Sequence, residues 1–260
     1  MTLLGAINWC TAQKQQDKIL FCYGDVYPTQ ISGYDYVILE PSHFTDEDVT
    51  LLKSQNKNVL AYISLGEVNE AASHYESIKT ETIGLNEEWN SHVIDISAPK
   101  TKTALNEKVD ELLAKKRFSG LFLDNIDNYT NFGPTPHLKD SLVVFLSDLK
   151  SRFRESVIMQ NAGLFIIQDM RPFIDIIAVE SVATDYDFEK KNYQLRDKKE
   201  FKERLKRIEK IKMEQSIPIV LIEYADNVKL KKQIQKRLKS VQLDCFIGQI
   251  DLQKPPLFKK

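Results

Sequence analysis

The stretch GLFLDNIDNY, residues 120–129, opens apolar and then sets Asp124, Asn125, Asp127 and Asn128 within five positions. Three other acidic residues stand in the same relation to an apolar run: Glu67 after NVLAYISLG, Glu180 after IDIIAV and Glu223 after IPIVLI. Carboxylates gathered at close range cannot all ionise cheaply, so their pKa values separate and one stays protonated near neutral pH. Such a pair suits glycosidic bonds, where an ionised carboxylate attacks or stabilises the anomeric carbon and an acid protonates the leaving oxygen. The tyrosines Tyr23, Tyr62, Tyr129, Tyr186 and Tyr224 stand at comparable places and offer faces to a sugar ring. A second chemistry fits the same carboxylates: Glu67, Asp124, Glu180 and Glu223 supply the hard oxygen donors that Mg²⁺ takes.

Eight elements must position these residues. Apolar runs rich in β-branched and aromatic residues occur at 19–24, 34–40, 58–66, 120–126, 156–163, 174–181, 217–225 and 245–251, most of them separated by helix-length segments. The pattern predicts parallel strands in βα units, and their nearly continuous apolarity fits burial on both faces. The fold expected is a single-domain (β/α)8 TIM barrel over 19–260, with active-site residues at the C-terminal ends of the strands. Those ends supply Tyr23, Asp25, Glu40, Ser64, Glu67, Asp124, Asp127, Gln160, Asn161, Glu180, Glu223, Tyr224, Asp226, Gln249 and Asp251. A ninth run, HVIDIS (92–97), is assigned to a long insertion after strand 3.

Helical spacing is clear at Leu142, Phe145, Leu146 and Leu149, with Pro136 and Asp140 near the helix start. It is also clear at Phe201, Leu205 and Ile208, with Lys212 expected to cover the end of that stripe; the basic run around it reads as a solvated face. After strand 8 only LQKPPLFKK remains, and its two prolines preclude a full helix. Residues 1–18 are expected to cover that side of the barrel or to be the remnant of an export signal.

Bulk properties narrow the choices. The 260 residues carry 36 Lys and Arg against 37 Asp and Glu, so no global field recruits nucleic acid or an anionic membrane. Cys10, Cys22 and Cys245 are too few and scattered for a disulfide framework or a zinc site. His43, His74, His92 and His137 fall in helical or loop segments, away from strand ends, which argues against a His-based metal site or catalytic triad. Nucleotide-binding glycine motifs and the G-x-S-x-G nucleophile elbow are absent, as is any apolar run long enough to span a membrane.

The motifs YISLGE (62–67), GLFLDNIDNY (120–129), QNAG (160–163) and VES (179–181), in that order, resemble the endo-α-1,4-polygalactosaminidases of glycoside hydrolase families 114 and 166. CYGD (22–25) and VILEP (37–41) upstream resemble the Pel-polysaccharide hydrolase branch of that group. The resemblance covers about residues 19 to 252. It implies hydrolysis of α-1,4 links in polymers of galactosamine and N-acetylgalactosamine, without a cofactor. By motif position, Asp124 is implied as nucleophile and Glu180 as general acid/base, with retention of configuration. Glu67, Asp127, Tyr129 and Asn161 are expected to bind substrate by motif position, and Tyr23, Glu223 and Asp226 by strand-end geometry. The partner expected is a cationic aminosugar polysaccharide met by a monomer outside the cytoplasm, in a periplasmic or secreted setting. Two other readings remain open: a barrel that binds the polymer without cleaving it, as part of an exopolysaccharide or biofilm system, and the Mg²⁺-dependent enzyme.

Overall fold

The computed structural model describes residues 18–259. One sheet holds eight strands in chain order: β1 (Ile19–Cys22), β2 (Tyr36–Leu39), β3 (Asn58–Ser64), β4 (Gly120–Asp124), β5 (Val157–Asn161), β6 (Ile176–Glu180), β7 (Ile219–Tyr224) and β8 (Asp244–Gly248). Each pairs in parallel with the next. The last returns beside the first, where Lys18 Nζ meets Asp244 at 3.2 Å. This is the expected (β/α)8 barrel, and all eight expected runs are strands. Most are shorter than their apolar runs suggest, because the polar residues at their ends leave the ladder for the loops.

Every residue of β1 and of β7 is buried, as strands between a packed interior and a ring of helices must be. The interior is aromatic: the Phe21 ring lies 5.3 Å from both Phe122 and Phe246. Side chains alternate along a strand, so Asp124 shares the face of Phe122 and is carried to the barrel mouth above this plug. Register then levels the neighbours, with Ser64 opposite Asp124 and Asn161 opposite Ala178.

Five longer helices form the outer layer: α1 (Asp46–Gln55), α2 (Pro99–Asp110), α3 (Lys139–Arg152), α4 (Lys198–Gln215) and α5 (Val228–Leu238). The first is entered through a capping box between Thr45 and Asp48. On α3 the buried residues are the expected Leu142, Phe145, Leu146 and Leu149, and a short 3-10 turn, Pro136–Leu138, leads into it. The stripe on α4 departs from expectation: Ile208 and Ile211 are buried, while Lys212 is exposed and donates to the Gln242 carbonyl at 3.0 Å. A period of 3.6 carries the inward face from 208 to 211, and the lysine falls one position past it.

Two insertions rise at the C-terminal ends of the strands. The HVIDIS segment lies in the one after β3, as expected; its strand Ser91–Ile94 is the centre of an antiparallel sheet with Glu67–Asn69 and Thr82–Asn86. His92 therefore lies in a strand, of the insertion and not of the barrel. The other, unforeseen, is a hairpin after β6 that pairs Thr184–Asp187 with Asn192–Leu195. No helix follows β8 among the described residues. The tail crosses towards α5, where Gln249 Nε2 donates to the Ala225 and Leu257 carbonyls and the Lys259 carbonyl accepts the Val228 N–H. The role expected for residues 1–18 falls almost entirely outside the described residues. Cys22 is buried in β1 and Cys245 half-buried in β8. No helix among the described residues is long and apolar enough to cross a membrane.

Candidate active site

At the mouth, the ends of β4, β5 and β6 meet. Asn161 uses one amide nitrogen to donate to Asp124 Oδ1 at 2.9 Å and to Glu180 Oε1 at 2.6 Å. Two bonds radiating from one atom hold those oxygens no further apart than their combined length, about 5.5 Å. Each carboxylate has a phenol on its other oxygen: Tyr62 donates to Asp124 Oδ2 at 2.8 Å, and Tyr224 donates to Glu180 Oε2. The Tyr23 ring lies tilted against that of Tyr62, with centroids 4.9 Å apart. Burial first, and then the neighbouring carboxylates, push these three phenols well above their ordinary range, so they remain donors.

The surroundings of Glu180 favour its protonated form more than water does. Burial, and next the charge of Asp124, raise its pKa, partly opposed by the bonds from Tyr224 and Asn161. One asymmetry of the bridge matters further: Asn161 is 6% exposed and its Oδ1 has no hydrogen-bond partner among the described residues.

The backbone turns sharply just past each of these residues. Asn125, Ala162 and Ser181, which directly follow Asp124, Asn161 and Glu180, all have positive φ, at 58°, 53° and 53°. A left-handed residue at a strand end halts the ladder and stores strain of the kind found at functional sites. Gly163 continues the β5 turn with φ 64°, and its N–H reaches Asp127 Oδ1 at 2.9 Å. Asp127 is exposed at the cleft edge; partial burial of its carboxyl and the charge of Asp124 raise its pKa against that N–H.

The other expected site residues are placed differently. Glu67 is 6% exposed and its oxygens accept from Asn86, Ser91 and Asn128, at 3.2, 2.5 and 3.2 Å, so it ties the insertion sheet to the loop after β4. Glu223 is fully buried beneath the second hairpin and accepts the Ala183 and Thr184 N–H groups and the Thr184 hydroxyl; burial raises its pKa. Tyr129 is 1% exposed and donates to the Leu65 carbonyl, so its ring serves packing where contact with substrate was expected. Asp226 is exposed beside α5 and accepts from Asn227. With Glu67 and Glu223 thus engaged, the four carboxylates of the Mg²⁺ reading do not converge, and no group of three His, Cys, Asp or Glu among the described residues is arranged to hold a metal.

A cleft of about 750 Å³ runs from Asp124, Asp127, Asn161 and Glu180 outward to Phe165 and to Arg196, Arg204 and Arg207. A model of glycoside-hydrolase family GH114 matches residues 6–254. The chain belongs to glycoside-hydrolase family GH114 and is a glycosidase. Among solved structures, the glycoside hydrolase domain of PelA from Pseudomonas aeruginosa is similar to this GH114 chain with a TM-score of 0.79 at 25% identity, covering 91% of this chain and 96% of that one. Aspergillus fumigatus Ega3, in complex with galactosamine, matches at 0.70 and 14% identity over 93% of both chains. An Anoxybacillus α-amylase matches at 0.56 and 11%, covering 90% and 65%. The last two show a shared fold. No curated protein sequence matches.

Around the GH114 carboxylates stand contacts that the sequence does not disclose. Tyr62 and Tyr224, which the sequence offers only as faces for a sugar ring, donate their hydroxyls to Asp124 and Glu180. Arg204 and Arg207 belong to the basic run read as a solvated face; they line the cleft instead, and Arg207 lies over the Phe165 ring at 4.9 Å. Nothing in helical periodicity marks that face, because a cleft wall and a solvated face are both polar.

Proposed function

We propose that this chain is an endo-acting, retaining hydrolase of α-1,4-linked polymers of galactosamine and N-acetylgalactosamine, with Asp124 as nucleophile and Glu180 as general acid/base. The observation that carries the reading is the Asn161 bridge. It keeps one oxygen of Asp124 and one of Glu180 no more than about 5.5 Å apart, which supports the close ~5 to 5.5 Å spacing of retaining pairs over the ~6.5 to 9.5 Å that leaves room for an attacking water. The raised pKa of Glu180 supports this division of roles. Glu180, buried and raised, keeps a proton for the leaving oxygen; once Asp124 has attacked, Glu180 is the base that takes a proton from water.

Three features support an aminosugar substrate. The cleft sets the acidic side chains Asp124, Asp127, Glu200 and Glu203 against Arg196, Arg204 and Arg207, an acidic excess that attracts ammonium groups locally on a protein of net charge −1. The unpartnered Asn161 Oδ1 adds a further acceptor to this acidic neighbourhood. PelA and Ega3 add support by similarity, the latter through its complex with galactosamine. The substrate places the enzyme's work outside the cytoplasm, on exopolysaccharide. The chain acts as a monomer, with Tyr23 closing the floor of the site beside Tyr62.

Incubation with partly deacetylated α-1,4-galactosamine polymer, followed by mass spectrometry, tests this. Oligomers of mixed length appear with the wild type and none with Glu180→Gln. Polymer that is bound but left intact would favour the non-catalytic reading, and loss of activity in EDTA would favour the Mg²⁺ enzyme.

A further inference from the structure

The exposed aromatic side chains among the described residues are not scattered. Tyr27, Trp89, Phe132, Phe165 and Phe188 all lie in segments that follow the C-terminal ends of barrel strands. Two of them meet. Trp89 stands in the turn between Thr82–Asn86 and Ser91–Ile94, and Phe188 in the turn between Thr184–Asp187 and Asn192–Leu195. Their ring centroids are 5.6 Å apart at an interplanar angle of 85°.

That contact is unusual for its span. The insertions are rooted after β3 and β6, three places apart in a ring of eight strands, so rings that touch at their tips arch over the barrel mouth. Both roots adjoin the carboxylate pair. The first begins at Glu67, which is bonded to Asn128 of the β4 loop; the second begins just past Glu180, and Arg196 at its far end lines the cleft. The arch is also braced. Phe188 packs edge-on against Tyr186 at 4.9 Å, Tyr186 packs against Tyr193 at 4.8 Å, and the Tyr193 hydroxyl accepts the Ile250 N–H. Each turn ends in a left-handed residue, Asn90 or Lys191, as tight hairpin loops require.

Even in this contact Trp89 remains 53% exposed and Phe188 43%. A protein that needed the pair only to pin two hairpins together would bury it. The exposed indole face is the best side-chain acceptor for an ammonium group, and the phenylalanine edge extends the apolar surface a sugar ring can cover.

We propose that Trp89 and Phe188 form a substrate-binding subsite bridging the barrel mouth, on which an aminosugar unit remote from the scissile bond docks while the chain runs beneath. The proposal rests on the polygalactosaminidase reading and adds to it where the polymer is held away from the carboxylates. A remote subsite acts only on chains long enough to reach it.

The test is a chain-length series of α-1,4-galactosamine oligomers and polymer, hydrolysed by the wild type, Trp89→Ala, Phe188→Ala and the conservative Trp89→Phe, each first checked for an unchanged thermal midpoint. The expected result is a KM ratio of variant to wild type that grows with chain length to about fivefold for Trp89→Ala on polymer, with the loss in KM and not in kcat, and substantial rescue in Trp89→Phe. Equal KM values at every length, or a loss of kcat equal at every length, would overturn the subsite while leaving the hydrolase reading intact. Failure of the wild type to bind or cleave any member of the series would overturn both.

Discussion

Four strand-end glutamate and aspartate residues look alike along the chain, yet they divide into two pairs with different surroundings. Asp124 and Glu180, after β4 and β6, face each other across one Asn161 nitrogen at the head of the cleft. Glu67 and Glu223, after β3 and β7, are at least as buried, but their oxygens are consumed by Asn86, Ser91 and Asn128 in one case and by Ala183 and Thr184 in the other. What separates the pairs is the direction in which the neighbouring loops fold. Asp124 and Glu180 are each followed by a left-handed residue that turns the chain away and leaves the carboxyl open. After β3 and β6 long insertions fold back, and Glu67 and Glu223 supply the acceptors their backbones and side chains need. A strand-end carboxylate thus lines the cleft or ties loops together according to which way the adjoining chain folds.

The comparison can be broken by substitution. Asp124→Asn and Glu180→Gln are expected to lose about 10³-fold or more in kcat/KM on galactosamine polymer while melting within about 1 °C of the wild type. Glu223→Ala should do the reverse. It strands two buried N–H groups and a hydroxyl, so denaturant unfolding should show a loss of about 3 kcal/mol or more, with folded enzyme still able to cleave at low temperature. Glu67→Gln is intermediate: it keeps an acceptor for some donors but weakens the tie between the insertion and Asn128. About 1 to 2 kcal/mol of stability should be lost, with a partial fall in activity.

The smallest effect sharpens the assignment of the acid. Glu180 must be protonated to act, so activity falls as pH rises through its elevated pKa and forms the basic limb of the profile. The Tyr224 hydroxyl lowers that pKa by bonding the ionised form. Removing it in Tyr224→Phe should therefore move the basic limb of kcat/KM to higher pH, and a limb that stays or moves down would reassign it.

Much of this architecture was legible in the sequence because barrel strands announce themselves as short apolar runs with polar ends. The α3 stripe and the proline-barred last helix were legible for equally local reasons. What was hidden depends on meetings between distant segments. The GLFLDNIDNY stretch shows Asp124 and Tyr129 five positions apart, but not that the ring of Tyr129 turns inward to the Leu65 carbonyl. Nor does TDYD followed by NYQL disclose a hairpin whose tip reaches Trp89 across the mouth. Arg204 and Arg207 were hidden because a cleft wall on α4 has the composition of a solvated surface.

The central claim, that Asp124 and Glu180 act as a nucleophile and acid pair with no room for a directly attacking water, is tested most directly by the anomeric form of the first product. Proton NMR during hydrolysis of α-1,4-galactosamine polymer should show new reducing ends appearing first as the α anomer and mutarotating afterwards. First appearance of the β anomer would mean inversion and contradict the account.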